Sequence, residues 1–341
     1  MKAIGYQQPG AIGRDESLVD IEQPVPTPSH RDILVEVKAV SVNPVDIKVR
    51  KAVRPEPGNW KVLGWDAAGV VKAVGPDVTF FRPGDAVFYA GAIGRPGTNA
   101  EYHLVDERIV GTKPKSLDWA AAAALPLTSI TAWEVLFERL DVKKPVPGAA
   151  SAIVIIGGAG GVGSIATQIA RTQTGLTVIA TASRSDTKAW VSDMGAHHVI
   201  DHSKPLASQV AALGIGAPSF VFSTTHTESH LSDIAELIAP QGRFALIDDP
   251  DVLDIRLFKP KSVSTHWESM FTRSVFETAD IGEQGRLLNE VSRLVDSGVL
   301  RSTMTERHSP IDAATLKRVH TLIESGRARG KIVLEGFAPQ A

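Results

Sequence analysis

Three glycines at fixed spacing, Gly158, Gly160 and Gly163, form the pattern G-x-G-x-x-G inside "IVIIGGAGGVGSIATQIAR", residues 153–171. The chemistry such a pattern serves is the holding of a diphosphate. Gly158 permits the turn, Gly160 lets the backbone approach a pyrophosphate, and Gly163 lets a helix pack on a strand. Backbone N–H groups of the first helical turn, at Gly161 and Val162, then face the phosphates. The elements that must position the pattern stand on both sides of it. Ile153 to Ile156 read as a buried strand, and Val162, Ile165, Ala166, Ile169 and Ala170 recur at helical spacing. Strand and helix together favour a dinucleotide site over a glycine-rich turn without a ligand.

The second strand of such a unit decides which nucleotide is held. An NAD site places a carboxylate about 20 residues after the glycines to take the ribose hydroxyls. Here that place reads Ala182, Ser183, Arg184, with Lys188 one helical turn on. Ser183 can donate to a 2′-phosphate and Arg184 can pair with it, so the residues point to NADPH. The competing reading makes Arg184 and Lys188 solvated surface charges.

Composition narrows the classes. A chain of 341 residues exceeds what one core usually serves, so two domains are expected. A net charge of −2 gives no reason to expect nucleic acid or an anionic membrane as partner. The start "MKAIGYQQPG" has no signal-peptide core, and no 18-residue apolar run is apparent, so a soluble cytoplasmic protein is expected. With no cysteine, disulfides, thiolate-ligated metal and thiol catalysis are all excluded.

Along the chain, residues 1 to about 125 read as short strands punctuated by Pro and Gly, among them "ILVEVKAVSV", "GVVKAVG", "GDAVFYA" and "AEYHLVD", which suggests a compact β-barrel-like unit. From Ser151 strands alternate with helical segments. Six candidates, "AIVII", "LTVIATA", "HHVID", "SFVFS", "RFALI" and "KSVSTH", suit a doubly wound parallel sheet. Thr224 and Ile247 follow two of these strands, at the C-terminal ends where open α/β sheets bind ligands. After about residue 275, Leu287, Leu288, Val291, Leu294 and Val295 form one helical stripe closed by Gly298. A second helix is predicted to open at Ser309-Pro310, with Leu316, Val319, Leu322 and Ile323 as its stripe. "KIVLEGF" reads as a final strand.

These pieces resemble the medium-chain dehydrogenase/reductase superfamily over essentially the whole chain. The resemblance rests on the GroES-like β region, "GGAGGVGSIATQIAR", "SRSDTKAWVSDMGAHHVIDH" and "GKIVLEGF". Within the superfamily, "SVNPVDIKVR", "VLGWDAAGVVKAVGPDVTFFRPGDAVFYAG" and "STHWESMFTRS" look most like the zinc-free quinone oxidoreductase branch, and more narrowly like bacterial proteins labelled zinc-type alcohol dehydrogenase-like. The resemblance implies an α/β protein with a GroES-like catalytic domain from both ends of the chain (1–126 and 275–341), a Rossmann domain between them (127–274), and a homodimer.

Zinc members carry a Cys early in the first domain and a "GHE" turn. This chain has Asn43 in "SVNPVD" and Trp65 in "LGWDAAG", and residues 89–101 lack the four-cysteine lobe of a structural zinc. An amide and an indole supply none of the usual zinc ligands, so no zinc is expected. His226 and His230, at i, i+4 about Glu228, lack a third ligand and read as surface; His197, His198 and His202 read as structural residues around the third strand. The expected metal set is therefore empty.

Without a Lewis acid, hydride addition favours acceptors that spread the charge themselves, a quinone or an α,β-unsaturated carbonyl. The expected function is an NADPH-dependent reductase of such acceptors. The alternatives are a zinc-independent alcohol or aldehyde dehydrogenase, and an NADPH-binding protein with little turnover. For the catalytic residues the resemblance points to Asn43, as an amide donor to the acceptor carbonyl or as a turn former before Pro44. It also points to Lys48, an electrostatic donor or an exposed lysine, standing where quinone-reductase relatives commonly have Tyr. Trp65 would wall the pocket or pack the core, Asp66 holds the acidic place of "GHE" with a structural role as its reading, and Tyr89 would line the cleft. On the cofactor side it implies Thr128 near the nicotinamide or its ribose. Met270, Phe271 and Arg273 would close over the nicotinamide, and Lys331 would reach the phosphates.

Overall fold

The computed structural model describes residues 1–337. Its chain divides into one unit of Met1–Ile130 with Phe271–Ala341 and a second of Thr131–Met270. Each boundary lies four residues from the expected 126/127 and 274/275.

In the second unit, six strands run parallel: Ala150–Ile156, Thr177–Thr181, His198–Ile200, Pro218–Ser223, Arg243–Leu246 and Ser264–Trp267. Numbered in that order, they lie 3-2-1-4-5-6 across the sheet, the order of a doubly wound dinucleotide fold. The apolar runs in these strands exist because helices cover both faces. Ile153, Val154, Ile155 and Ile156 are each at most 1% exposed, so each contributes about 1.5–3 kcal/mol of burial. Phe220, Phe222, Phe244 and Phe258 are buried likewise.

In the first unit, the 11-residue strand Asp32–Val42 is the spine. It pairs antiparallel with Ala67–Val74, Tyr102–Asp106 and the C-terminal strand Lys331–Glu335. Val333 stands opposite Ser41 and Ile332 opposite Val42. That pairing is why the two ends of the chain share one unit, and it sets Lys331 beside Asn43. Helix Glu283–Asp296 buries the predicted stripe Leu287, Leu288, Val291, Leu294 and Val295.

Two expectations change. The last helix spans Ala313–Glu324 rather than starting at Ser309-Pro310. Asp312 caps it, its side chain accepting from the Thr315 N–H at 2.7 Å, a stronger cap than Ser309 could provide from outside the first turn. A strand, Met304–His308, lies where no strand was predicted and pairs parallel with the C-terminal strand. The search for an apolar run also missed Trp119–Arg139. This 21-residue stretch is long and apolar enough to cross a membrane by length and composition, and it is mostly buried inside the protein.

Candidate active site

The nucleotide turn is built as the strand and helix demand, with one exchange of roles. The left-handed residue is Gly157, at φ +79°, so this glycine, and not Gly158, permits the turn. A Cβ on Gly158 would stand 2.9 Å from the Ala180 Cβ, which makes Gly158 the point of contact with the neighbouring strand. Gly163 does what its spacing implies: a Cβ there would lie 2.3 Å from the Gly157 carbonyl oxygen and 2.7 Å from the Gly158 Cα. Gly160 caps helix Gly161–Gln173, and a Cβ on it would meet nothing closer than 3.5 Å, so the space beside it is open. Gly161 and Val162, both half-buried, form the first turn. This cradle fits a dinucleotide diphosphate.

Two residues around the turn carry no cofactor role in the sequence expectations: Thr181, which is not singled out there, and His202, which reads there as structural. Thr181, the last residue of the second strand, accepts the Gly157 N–H at 3.0 Å and bonds the His202 Nδ1 at 3.2 Å. His202 follows the third strand, whose Ile200 pairs with Thr181, so parallel register carries its ring next to the turn. Burial lowers the His202 pKa, and His226, Arg184 and Lys188 push it the same way against Asp201. The imidazole therefore shares one neighbourhood with the cations proposed for a 2′-phosphate. Ser183 is half-buried. The Arg184 Nε lies 3.3 Å from Asp186 and the Lys188 Nζ lies 3.1 Å from Asp201, so an arriving phosphate competes with two carboxylates. Thr224 donates its hydroxyl to the Ile156 carbonyl at 2.9 Å, and the Ile247 N–H reaches the Ser223 carbonyl at 3.3 Å. Both lie at strand C-termini as anticipated.

The first unit holds a buried polar cluster. Asn43, Asp46, Asp66 and Lys331 are each at most 3% exposed. Asp66 accepts from the Asn43 Nδ2 at 2.8 Å, from the Lys331 Nζ at 3.0 Å and from the Leu127 N–H at 2.8 Å. Lys331 also donates to the Val42 carbonyl at 3.0 Å and to the Asn43 Oδ1. Asp46 accepts the Asn43 N–H at 2.8 Å. Burial pushes both carboxyls up, Asp46 to about 7, with Lys331 acting the other way on each.

This cluster corrects several expectations. Lys331 does not extend toward cofactor phosphates, because its ammonium is enclosed by three acceptors within its own unit. Asn43 does not offer its amide to an acceptor, because Nδ2 is spent on Asp66 and Oδ1 on Lys331. Tyr89 lines no cleft: it is fully buried, and its hydroxyl lies 3.1 Å from the His103 Nδ1. Trp65 is 1% exposed, donates to the Ala92 carbonyl at 3.3 Å and meets Phe271 edge-on at 6.2 Å; it packs rather than walling an open pocket. Phe271 is thereby packed within the first unit, and Arg273 bonds Asp280 there at 2.8 Å. Met270 is buried, and the buried Thr128 donates its hydroxyl to the Leu125 carbonyl at 3.1 Å. Lys48 is exposed on helix Pro44–Ala52, opposite the buried Ile47, Val49 and Arg50.

The same fold occurs in known proteins. Residues 29–115 match the alcohol dehydrogenase GroES-like domain and residues 194–334 a zinc-binding dehydrogenase domain. A zinc-type alcohol dehydrogenase-like protein of Staphylococcus aureus strain MSSA476 is 40% identical over 337 residues, covering 98% of this chain and 99% of that one. The chain belongs to the medium-chain dehydrogenase/reductase superfamily. A Rhizobium etli CFN 42 structure, described as a zinc-dependent alcohol dehydrogenase, superposes with a TM-score of 0.98 at 71% identity, covering 99% of each chain. A quinone oxidoreductase of Pseudomonas syringae superposes with a TM-score of 0.82 at 25% identity, covering 98% of this chain and 99% of that one.

The superfamily's zinc can be tested against the residues in place. At the two diagnostic positions stand an amide whose oxygen already accepts an ammonium and an indole with no lone pair to give. The neighbouring carboxylate has three donors of its own. Among the described residues, no group of three or more His, Asp or Glu side chains is gathered so that it could hold a metal ion. This donor set does not fit a tetrahedral zinc site.

Proposed function

We propose that this member of the superfamily is a metal-independent, NADPH-dependent reductase of conjugated carbonyl compounds, quinones or α,β-unsaturated ketones and aldehydes. One observation carries the reading: the Lys331 ammonium is bound to Asp66 and Asn43, so the buried polar cluster is neutralised from within and offers neither a metal ligand nor a free cation to a substrate oxygen. That charge is buried and spent on Asp66, so it is not available to an alkoxide. The chain's own residues thus favour acceptors whose negative charge spreads over a ring or an enolate. NADPH, when bound, supplies the hydride. Gly157, Gly160 and the first turn at Gly161–Val162 hold the diphosphate, and Thr181 fixes the turn through Gly157. Ser183, Arg184, Lys188 and His202 receive the 2′-phosphate. With Asn43, Tyr89 and Lys331 engaged internally, the proton that completes reduction comes from water. The quinone oxidoreductase among the similar structures supports the acceptor class.

The names of the other relatives favour a second reading, an alcohol dehydrogenase. The test is turnover by chelator-treated protein with NADPH, comparing 1,4-quinones, linear enones and 2-alkenals with saturated ketones. Activity confined to conjugated acceptors and unaffected by chelation supports the proposal. Activity on saturated carbonyls that requires added zinc refutes it, and tight NADPH binding without turnover identifies a binding protein. We propose further that the protein is a homodimer. Strand Ser264–Trp267 pairs on one side only among the described residues, and Trp267, Val252, Ile255 and Leu257 are exposed, which supports a second copy as its cover.

A further inference from the structure

The indole of Trp65 is held by a loop, and that loop is held by a histidine. Ala92, whose carbonyl takes the Trp65 Nε1–H at 3.3 Å, opens the segment between strands Ala86–Tyr89 and Tyr102–Asp106. The Arg95 N–H bonds the same carbonyl at 3.1 Å, closing a turn over residues 92–95. Three further sets of contacts pin this segment. The Arg95 guanidinium clamps both Asp32 oxygens at 2.8 and 2.9 Å, the bidentate geometry in which an arginine pair is most directional. Gly97, Thr98 and Asn99 donate to the carbonyls of Val62, Gly64 and Leu63 at 2.9–3.0 Å, on the chain leading into Trp65. The third is His103, whose Nε2 lies 2.9 Å from the Pro96 carbonyl.

His103 is 4% exposed and stacks on Tyr89 with ring centroids 5.5 Å apart and planes 14° off parallel. A carbonyl only accepts, so the Nε2 carries the hydrogen, and the Nδ1 takes the Tyr89 hydroxyl at 3.1 Å. Burial holds the His103 pKa down to about 4, so the ring stays neutral and its two hydrogen bonds persist across physiological pH. Gly91 ties the two side chains together: a Cβ there would lie 3.6 Å from the His103 Cε1 and 3.8 Å from the Trp65 Cδ1. Imidazole and indole flank a single backbone position.

We infer that His103 is a positioning residue for Trp65. Through Pro96 and Gly91 it fixes the carbonyl that orients the indole, and the indole in turn stands where the superfamily's metal-binding members need a ligand. The Tyr89–His103 pair and the Arg95–Asp32 clamp together give this segment the fixed shape that a cysteine-free loop must obtain from side chains. This positioning does not depend on the reductase reading above.

The experiment uses full-length protein labelled with 5-fluorotryptophan, with the Trp65 signal among the six tryptophans assigned by its loss in Trp65→Phe. His103→Ala is expected to shift or broaden the Trp65 fluorine resonance and leave the other five in place. His103→Gln, which restores a donor toward Pro96, is expected to bring it back. A Trp65 resonance unchanged in folded His103→Ala overturns the inference. If His103→Ala does not fold, His103→Phe keeps a ring beside Tyr89 and removes the donor to Pro96, and an unmoved Trp65 signal there overturns it equally. Absence of any turnover would refute the reductase reading and leave the fluorine result to decide the positioning.

Discussion

Replacing Lys331 with Met tests the buried cluster most severely. Methionine matches much of the lysine's length and apolar stem, so the change removes the ammonium and little else. In the wild-type protein that ammonium has three acceptors: the Val42 carbonyl, Asp66 and Asn43. Asp66 would keep the Leu127 N–H and the Asn43 amide, but its charge would be buried without a cation. Breaking one partner of a buried pair typically costs about 3–5 kcal/mol, a large share of the ~5–15 kcal/mol by which a domain is stable. The pH dependence has a fixed sign. Without Lys331 the Asp66 carboxyl is raised further above its unfolded value of about 3.9, so the folded state binds a proton more tightly than the unfolded one. The deficit is therefore smallest below pH ~4 and grows as pH rises toward the folded pKa. Urea unfolding of wild type, Lys331→Met and Lys331→Met/Asp66→Asn at several pH values measures it. The double variant, which removes the orphaned charge, is expected to recover at least half of the loss at neutral pH. A single variant within about 1 kcal/mol of wild type across the range, well below the cost of a broken buried pair, would refute the argument that Lys331 is the internal cation.

Other outcomes follow from the same geometry. Arg184→Ala is expected to weaken NADPH roughly 10- to 30-fold, about 1.4–2 kcal/mol for one exposed charge-assisted contact, and NADH less than about 3-fold; fluorescence titration of both nucleotides checks it, and equal losses would remove Arg184 from the 2′-phosphate site. Asp46, pushed up to about 7 by burial, lowers stability as pH rises from about 4 to 7. Asp46→Asn should flatten that slope in thermal melts at graded pH, and an unchanged slope would assign the dependence elsewhere. Trp267→Lys, placing a charge on the exposed edge strand, is expected to convert dimer to monomer in sedimentation velocity; a wild-type protein already monomeric contradicts the dimer proposal.

How much of this could be read from residues alone differs by region. The six parallel strands were legible because burial on both faces leaves unbroken apolar runs such as Ile153–Ile156, and the glycine spacing marked the turn. The left-handed residue differs from the expected Gly158, since five glycines lie between 157 and 163 and only the backbone path singles out Gly157. Met304–His308 passed unnoticed because "MTERH" has little apolar content and owes its extended form to pairing with Lys331–Glu335. The site residues divide in the same way. Ser183, Arg184 and Lys188, proposed for the 2′-phosphate, are local to the second strand and so can be picked out from sequence alone. Thr181 and His202 meet only through parallel register, and Lys331 meets Asn43 from 288 positions away. Asn43, Asp66 and Lys331 are legible in sequence only one at a time, whereas their chemistry is mainly with one another.

The most direct measurement is steady-state turnover with NADPH after exhaustive chelation, using a quinone, an enone and the matching saturated ketone at equal concentrations. The account predicts reduction of the conjugated acceptors at a rate that neither chelator nor added zinc changes, with the saturated ketone left unreduced. Reduction of the saturated ketone, abolished by chelation and restored by zinc, would contradict it.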